Sequence, residues 1–110
     1  MIQINAAARL SVLATNEKNA RAYVKSVLGV EPGSTKKSYE GLYEFHIPKM
    51  DFDTAVAKAN QAFDHPPKKG SAGGQAGTQV LKWDMGQGRD FVIRQNGHSL
   101  DNVSVSLVNF

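Results

Sequence analysis

The sequence predicts an α+β fold: a two-layer sandwich with two helices on one face of a mainly antiparallel sheet of four to five strands. Three observations lead there. Two segments carry apolar residues at helical spacing, and the C-terminal third alternates with period two. The connections within that third are short enough to join antiparallel neighbours and too short for parallel crossovers. The 110 residues, 41% hydrophobic and 21% charged, have the composition of one small globular domain, taken as 1–110. The expected order is β-α-β-α-β-β-β.

The segment from Ile2 to Ala14 carries two patterns. Leu10 and Val12 alternate with Ser11, which suits a strand, whereas Ala6-Ala7-Ala8-Arg9-Leu10 suits a short helix. We expect a strand over Leu10–Ala14. The next segment places Ala20, Tyr23, Val24, Val27 and Leu28 on one helical stripe. Thr15 or Asn16 can cap it, Glu17 complements the positive dipole end, and Gly29 and Pro32 stop it. From Lys37 to Ile47 the period is two: Tyr39, Tyr43, Phe45 and Ile47 share a face, opposite Glu40, Glu44 and His46. We expect one strand, ended by Pro48.

Asp51 is placed to cap a second helix with the stripe Phe52, Ala55, Val56, Ala59 and Phe63, closed by Pro66-Pro67. Residues 64–78 then form a Gly/Pro/Lys-rich loop, expected to be functional or flexible. Three strands follow. Leu81, Trp83 and Met85 alternate with Val80, Lys82 and Asp84, Phe91 and Ile93 with Val92 and Arg94, and Val103, Val105 and Leu107 with Ser104, Ser106 and Asn109. Gly86-Gln87-Gly88, Asn96-Gly97 and Asp101-Asn102 supply the turns. Two helices on one face leave the other face of the sheet open to a partner.

Composition removes several function classes. The absence of cysteine excludes disulfides, thiolate metal sites and cysteine nucleophiles. No apolar run approaches the roughly 20 residues that span a bilayer, and no signal-peptide pattern opens the chain, so a cytoplasmic protein without membrane contact is expected. His46, His65 and His98 stand in three different settings. Asp51 and Asp53 flank a helix start, and Asp101-Asn102 belongs to a turn, so no metal site is expected. No serine sits at a strand-to-helix elbow, and no catalytic residues or cofactor are assigned. Lys68-Lys69-Gly70-Ser71 follows a helix and leads into a strand, the reverse of a phosphate-binding loop.

The tripeptide Gly73-Gly74-Gln75 resembles the Gly-Gly-Gln motif of peptide-release factors and ribosome-rescue hydrolases, in which the glutamine helps to place water. The family's asparagine–lysine–threonine continuation is replaced here by Ala76-Gly77-Thr78. The opening Ile4-Asn5-Ala6-Ala7-Ala8-Arg9-Leu10 resembles small bacteriophage-encoded proteins. That resemblance names no family, carries no functional residue, and implies a virion component or a modulator of a host protein, in the virion or the host cytoplasm.

The 13 basic residues outnumber 10 acidic ones, a mild surplus of +3. Lys18, Arg21 and Lys25 form a basic ridge on the first helix, Lys36-Lys37 and Lys68-Lys69 are expected in loops, and Arg89 and Arg94 lie on the final meander. If these converge, with Tyr39, Tyr43 or Trp83 as stacking platforms, they make a surface for RNA or single-stranded DNA. That is the alternative reading. The preferred one is a non-enzymatic interaction module for a protein partner, touching it through the 64–78 loop, which includes Gly73, Gly74 and Gln75, and through a sheet edge. The C-terminal strand from Val103 to Phe110 is expected at that edge, where it could also pair with another copy.

Overall fold

The computed structural model of the chain describes residues 17–33, 35–39, 42–70 and 76–109, with 35–39 described by backbone alone. Among these residues two helices and six strands follow one another: α1 (Glu17–Leu28), β1 (Thr35–Tyr39), β2 (Leu42–Ile47), α2 (Phe52–Ala62), β3 (Lys68–Lys69), β4 (Gln79–Asp84), β5 (Asp90–Gln95) and β6 (Val103–Val108). The strands form one sheet in the order β1-β2-β6-β5-β4-β3, with every pairing antiparallel. The α+β architecture is the one the sequence predicts. The strand expected over residues 10–14 lies outside the described residues.

Each helix forms where its apolar stripe dictates. Ala20, Tyr23, Val24, Val27 and Leu28 are the buried residues of α1, and the chain leaves through Gly29 at φ +78°, whose N–H donates to the Lys25 carbonyl at 2.7 Å. The Asp51 carboxylate accepts from the Thr54 N–H at 2.8 Å and starts α2. Hydrogen bonding from the Thr54 side chain first, and from its N–H second, holds the Asp51 carboxyl below its ordinary value of 3.8. The cap therefore stabilises the fold above that value and fades as pH falls through the lowered one. Phe52, Ala55, Ala59 and Ala62 are buried along α2, and these small side chains let its backbone lie close to the sheet.

Both helices cover the same face. Tyr43, Phe45, Ile47, Trp83, Phe91, Ile93, Val103, Val105 and Leu107 project from the sheet into one core with the helical stripes. Phe91 is the hub of its aromatic part, with ring centroids 5.1 Å from Phe63, 6.1 Å from Tyr23 and 6.2 Å from Trp83. Edge-on contacts of this kind add about 0.5–1.5 kcal/mol each beyond area burial. The Trp83 indole N–H donates to Asn60 Oδ1 at 3.2 Å, so that ring is buried without an orphaned donor. The Tyr23 hydroxyl has no partner among the described residues, and burial pushes its pKa up.

Three expectations need correction. The stretch from Lys37 to Ile47 is a hairpin, since Tyr39 pairs with Leu42 and the chain reverses between them. Alternation cannot reveal such a reversal, because both arms keep period two; Gly41 was the available signal. Lys36-Lys37 therefore belongs to strand β1, where the register shifts between Thr35 and Lys37. Lys68-Lys69, expected within a loop, is an edge strand on Lys82 and Leu81, and the Gly70 N–H extends that pairing to the Val80 carbonyl at 2.9 Å. The third correction concerns β6, which lies between β2 and β5 and is no edge. Its two flanks are already bonded, so self-association by strand addition there is ruled out by geometry. Local alternation shows that a segment is a strand; only long-range pairing decides its place in the sheet.

Candidate interaction surface

The second face of the sheet carries no described helix, and strand register arranges its residues in three cross-strand rows. One row joins Val80, Arg94, Ser104 and His46; the next joins Lys68, Lys82, Val92, Ser106 and Glu44. The third joins Asp84, Asp90, Val108 and Leu42. Most of these residues are half-buried, while Lys68 and Asp84 are exposed and Ser104 is only 1% exposed. The middle of the face is thus small or apolar at Val92, Ser104 and Ser106. Cations gather at the β3–β5 side, and carboxylates line the end formed by Asp84 and Asp90.

The cation cluster has a specific geometry. Lys68 and Lys82 are direct cross-strand partners, an arrangement in which like charges repel. Arg94 lies on the neighbouring strand, in the adjacent row. Its Nε donates to Asn96 Oδ1 at 3.0 Å, which fixes the head of the side chain. Among the described residues no ion pair reaches Lys68 or Lys82. Gly70 leans over this corner, where an added Cβ would come within 2.7 Å of Val80 Cγ1. Only glycine fits so close an approach.

The segment entering β4 is fastened to the β5–β6 connection through Gln95, a buried polar side chain 3% exposed. Its Oε1 accepts from Gln79 Nε2 at 2.9 Å, and its Nε2 donates to the carbonyls of Gly77 at 3.1 Å and Gly97 at 2.8 Å. The Gly97 N–H donates to Thr78 Oγ1 at 3.1 Å. Gly77, at φ +76°, lies against the His98 ring so closely that a Cβ would overlap it.

The residues singled out from the sequence are not brought together. Arg21 is engaged in structure: its Nη1 donates to the carbonyls of Pro32 at 2.7 Å and Gly33 at 2.9 Å, and its guanidinium stands 5.2 Å from the Phe45 ring centroid. Lys25 pairs with Glu31 at 3.2 Å, and Lys18 is exposed on α1. Lys36-Lys37 and Lys68-Lys69 stand on opposite edges of the sheet, roughly 24 Å apart by five strand spacings. Trp83 is 0% and Tyr43 6% exposed, so neither is a stacking platform. Gly73, Gly74 and Gln75 lie outside the described residues, as do residues 4–10. The pattern thus offered Arg94 but missed Lys82 and His46 as residues of the same face. Each was legible as the polar partner of an apolar strand position, but their grouping needs the register.

The three histidines stay apart. His46 is on the open face, and His98 rests on Gly77. His65 Nδ1 stands 3.0 Å from Asp64 Oδ1, a contact that holds the Asp64 carboxyl below its ordinary value. Among the described residues no group of three or more histidines and carboxylates gathers as a metal site would require, and no helix is long and apolar enough to cross a membrane. No known protein family, curated protein or solved structure matches this chain.

Proposed function

We propose that the chain is a non-enzymatic binding module, and that the face of its sheet which no described helix covers docks an acidic segment of a protein partner. The observation that carries this reading is the Lys68–Lys82 cross-strand pair, two lysines that no ion pair among the described residues reaches, with Arg94 on the neighbouring strand. An incoming carboxylate would relieve their repulsion, and the small and apolar middle formed by Val92, Ser104 and Ser106 would receive uncharged side chains. The scattered positions of the histidines and acids support a binding role over a reaction. A single-stranded nucleic acid is the competing occupant of a basic surface. It is disfavoured because Trp83 and Tyr43 are buried and the face carries Glu44, Asp84 and Asp90 as well as cations.

Fluorescence anisotropy tests the reading with a labelled extended peptide alternating glutamate and valine, a serine-for-glutamate version of it, and a uridine oligonucleotide. The acidic peptide is expected to bind, and Lys82→Glu is expected to weaken it by about tenfold, equivalent to about 1.4 kcal/mol. Equal affinity of the acidic and serine peptides would overturn the charge argument. Tighter binding of the oligonucleotide, falling steeply with salt, would replace the protein partner with a nucleic acid.

A further inference from the structure

Asn96 and Gly97 stand in the connection between β5 and β6 and are the single Asn-Gly dipeptide of the sequence. From their surroundings we infer that Asn96–Gly97 is a self-modification site, an asparagine that deamidates through a succinimide, which the folded protein holds closed with bonds from Arg94, Ser104 and Thr78. The inference is independent of any partner of the sheet.

The chemistry needs only water. The Gly97 backbone nitrogen attacks the side-chain carboxamide carbon of Asn96. A nitrogen–carbon bond forms, the bond to the amide nitrogen breaks, and ammonia leaves with the proton that Gly97 gives up. Water then opens the cyclic imide at either carbonyl, leaving aspartate or isoaspartate. Glycine after the asparagine favours this reaction because no Cβ obstructs the approach. Here a substituent on the Gly97 α-carbon would meet nothing within 4 Å beyond its two chain neighbours, so no other part of the described fold crowds that side of Gly97.

Each reacting group is nevertheless engaged elsewhere in the fold. Asn96 Oδ1 accepts from Arg94 Nε at 3.0 Å, and Asn96 Nδ2 donates to Ser104 Oγ at 2.9 Å. The Gly97 N–H, which must lose its proton, donates to Thr78 Oγ1 at 3.1 Å. The Asn96 N–H donates to the Asn102 carbonyl at 2.8 Å and closes the connection. Turning the carboxamide carbon toward Gly97 N means giving up these bonds, so reaction proceeds through local opening of the connection. The product places a carboxylate beside Arg94 and removes the donor to Ser104. Isoaspartate also lengthens the backbone of the connection.

Peptide-mapping mass spectrometry after incubation in mildly alkaline buffer tests this, because it reads amide-to-acid exchange at each asparagine. In the urea-unfolded chain Asn96 is expected to convert ahead of every other asparagine. In the folded chain its conversion is expected to be slower by about tenfold or more, the factor set by about 1.4 kcal/mol of opening free energy. Thr78→Val and Ser104→Ala each remove one clamp and are expected to speed conversion several-fold while circular dichroism stays native. Should Thr78→Val fail to fold, Ser104→Ala carries the comparison. Equal rates in folded and unfolded chains would overturn the gate, as would wild-type rates in the folded variants. Conversion of Asn96 no faster than Asn60 in the unfolded chain would overturn the site.

Discussion

β6 and the two edge strands belong to one sheet but are written in different residues: Val-Ser-Val-Ser-Leu-Val in the middle, Thr-Lys-Lys-Ser-Tyr and Lys-Lys at the rims. The middle strand is bonded along both flanks and packed from beneath by the helices. Its covered positions therefore take Val103, Val105 and Leu107, and its open-face positions take small serines between larger neighbours. An edge strand has one flank whose amides and carbonyls face outward, and lysine there deters another chain from pairing. The two lysine pairs, read from sequence as contacts for a polyanion, stand where edge protection already accounts for them. Lys68 differs in one respect, since Lys82 faces it directly.

Proline placed in each region should separate them most sharply. In Ser106→Pro a ladder bond of the middle strand is lost whichever neighbour it joins, a cost expected at about 3 kcal/mol or more. Against a total stability of about 5–15 kcal/mol, a large fall in thermal midpoint, or loss of the cooperative transition, should follow in circular dichroism. Lys69→Pro in β3 should cost less than about 1 kcal/mol. Equal damage from the two would mean that β3 is no edge.

Truncation gives the next largest contrast. Leu107→Ala removes a side chain 0% exposed and should cost about 2–5 kcal/mol in urea unfolding. Leu100→Ala, at a residue 48% exposed in the β5–β6 connection, should stay within about 0.5 kcal/mol. Tyr23→Phe should act in the opposite direction. The Tyr23 ring packs on Phe91 of the sheet interior, and its hydroxyl is desolvated without a partner among the described residues. Removing that hydroxyl should raise stability by about 1 kcal/mol, read as a higher urea midpoint. A fall instead would mean that the hydroxyl is bonded. The smallest expected effect on stability comes at the rim: Lys68→Thr combined with Lys69→Thr should change it by less than about 0.5 kcal/mol. The same pair should raise concentration-dependent self-association in sedimentation velocity, which is the property those lysines are read to control.

Local patterns were sufficient for several elements. The α1 stripe from Ala20 to Leu28, the Asp51 cap, the Gly29 exit and the turns at Gly86-Gln87-Gly88 and Asn96-Gly97 all occur where the sequence places them. These features rest on interactions within a few residues, so a linear pattern records them. The reversal between Tyr39 and Leu42 escaped because a hairpin preserves the alternation of its arms. The binding of Arg21 to Pro32 and Gly33 escaped because a surface cation and a carbonyl clamp look alike in a helix pattern.

The sequence by itself determined which residues face a core, where α2 begins and where both helices stop, and that cysteine chemistry is absent, while the Thr15 or Asn16 cap expected for α1 lies outside the described residues. Tertiary structure alone decided that β6 lies at the centre, that the lysine pairs lie on opposite edges, and that Lys68, Lys82 and Arg94 are neighbours. The physical reason is range. Helical stripes, caps and turns are fixed by contacts a few positions apart, whereas strand order and cross-strand rows are fixed by pairings between distant segments, chosen by how the whole set of apolar faces can be buried at once.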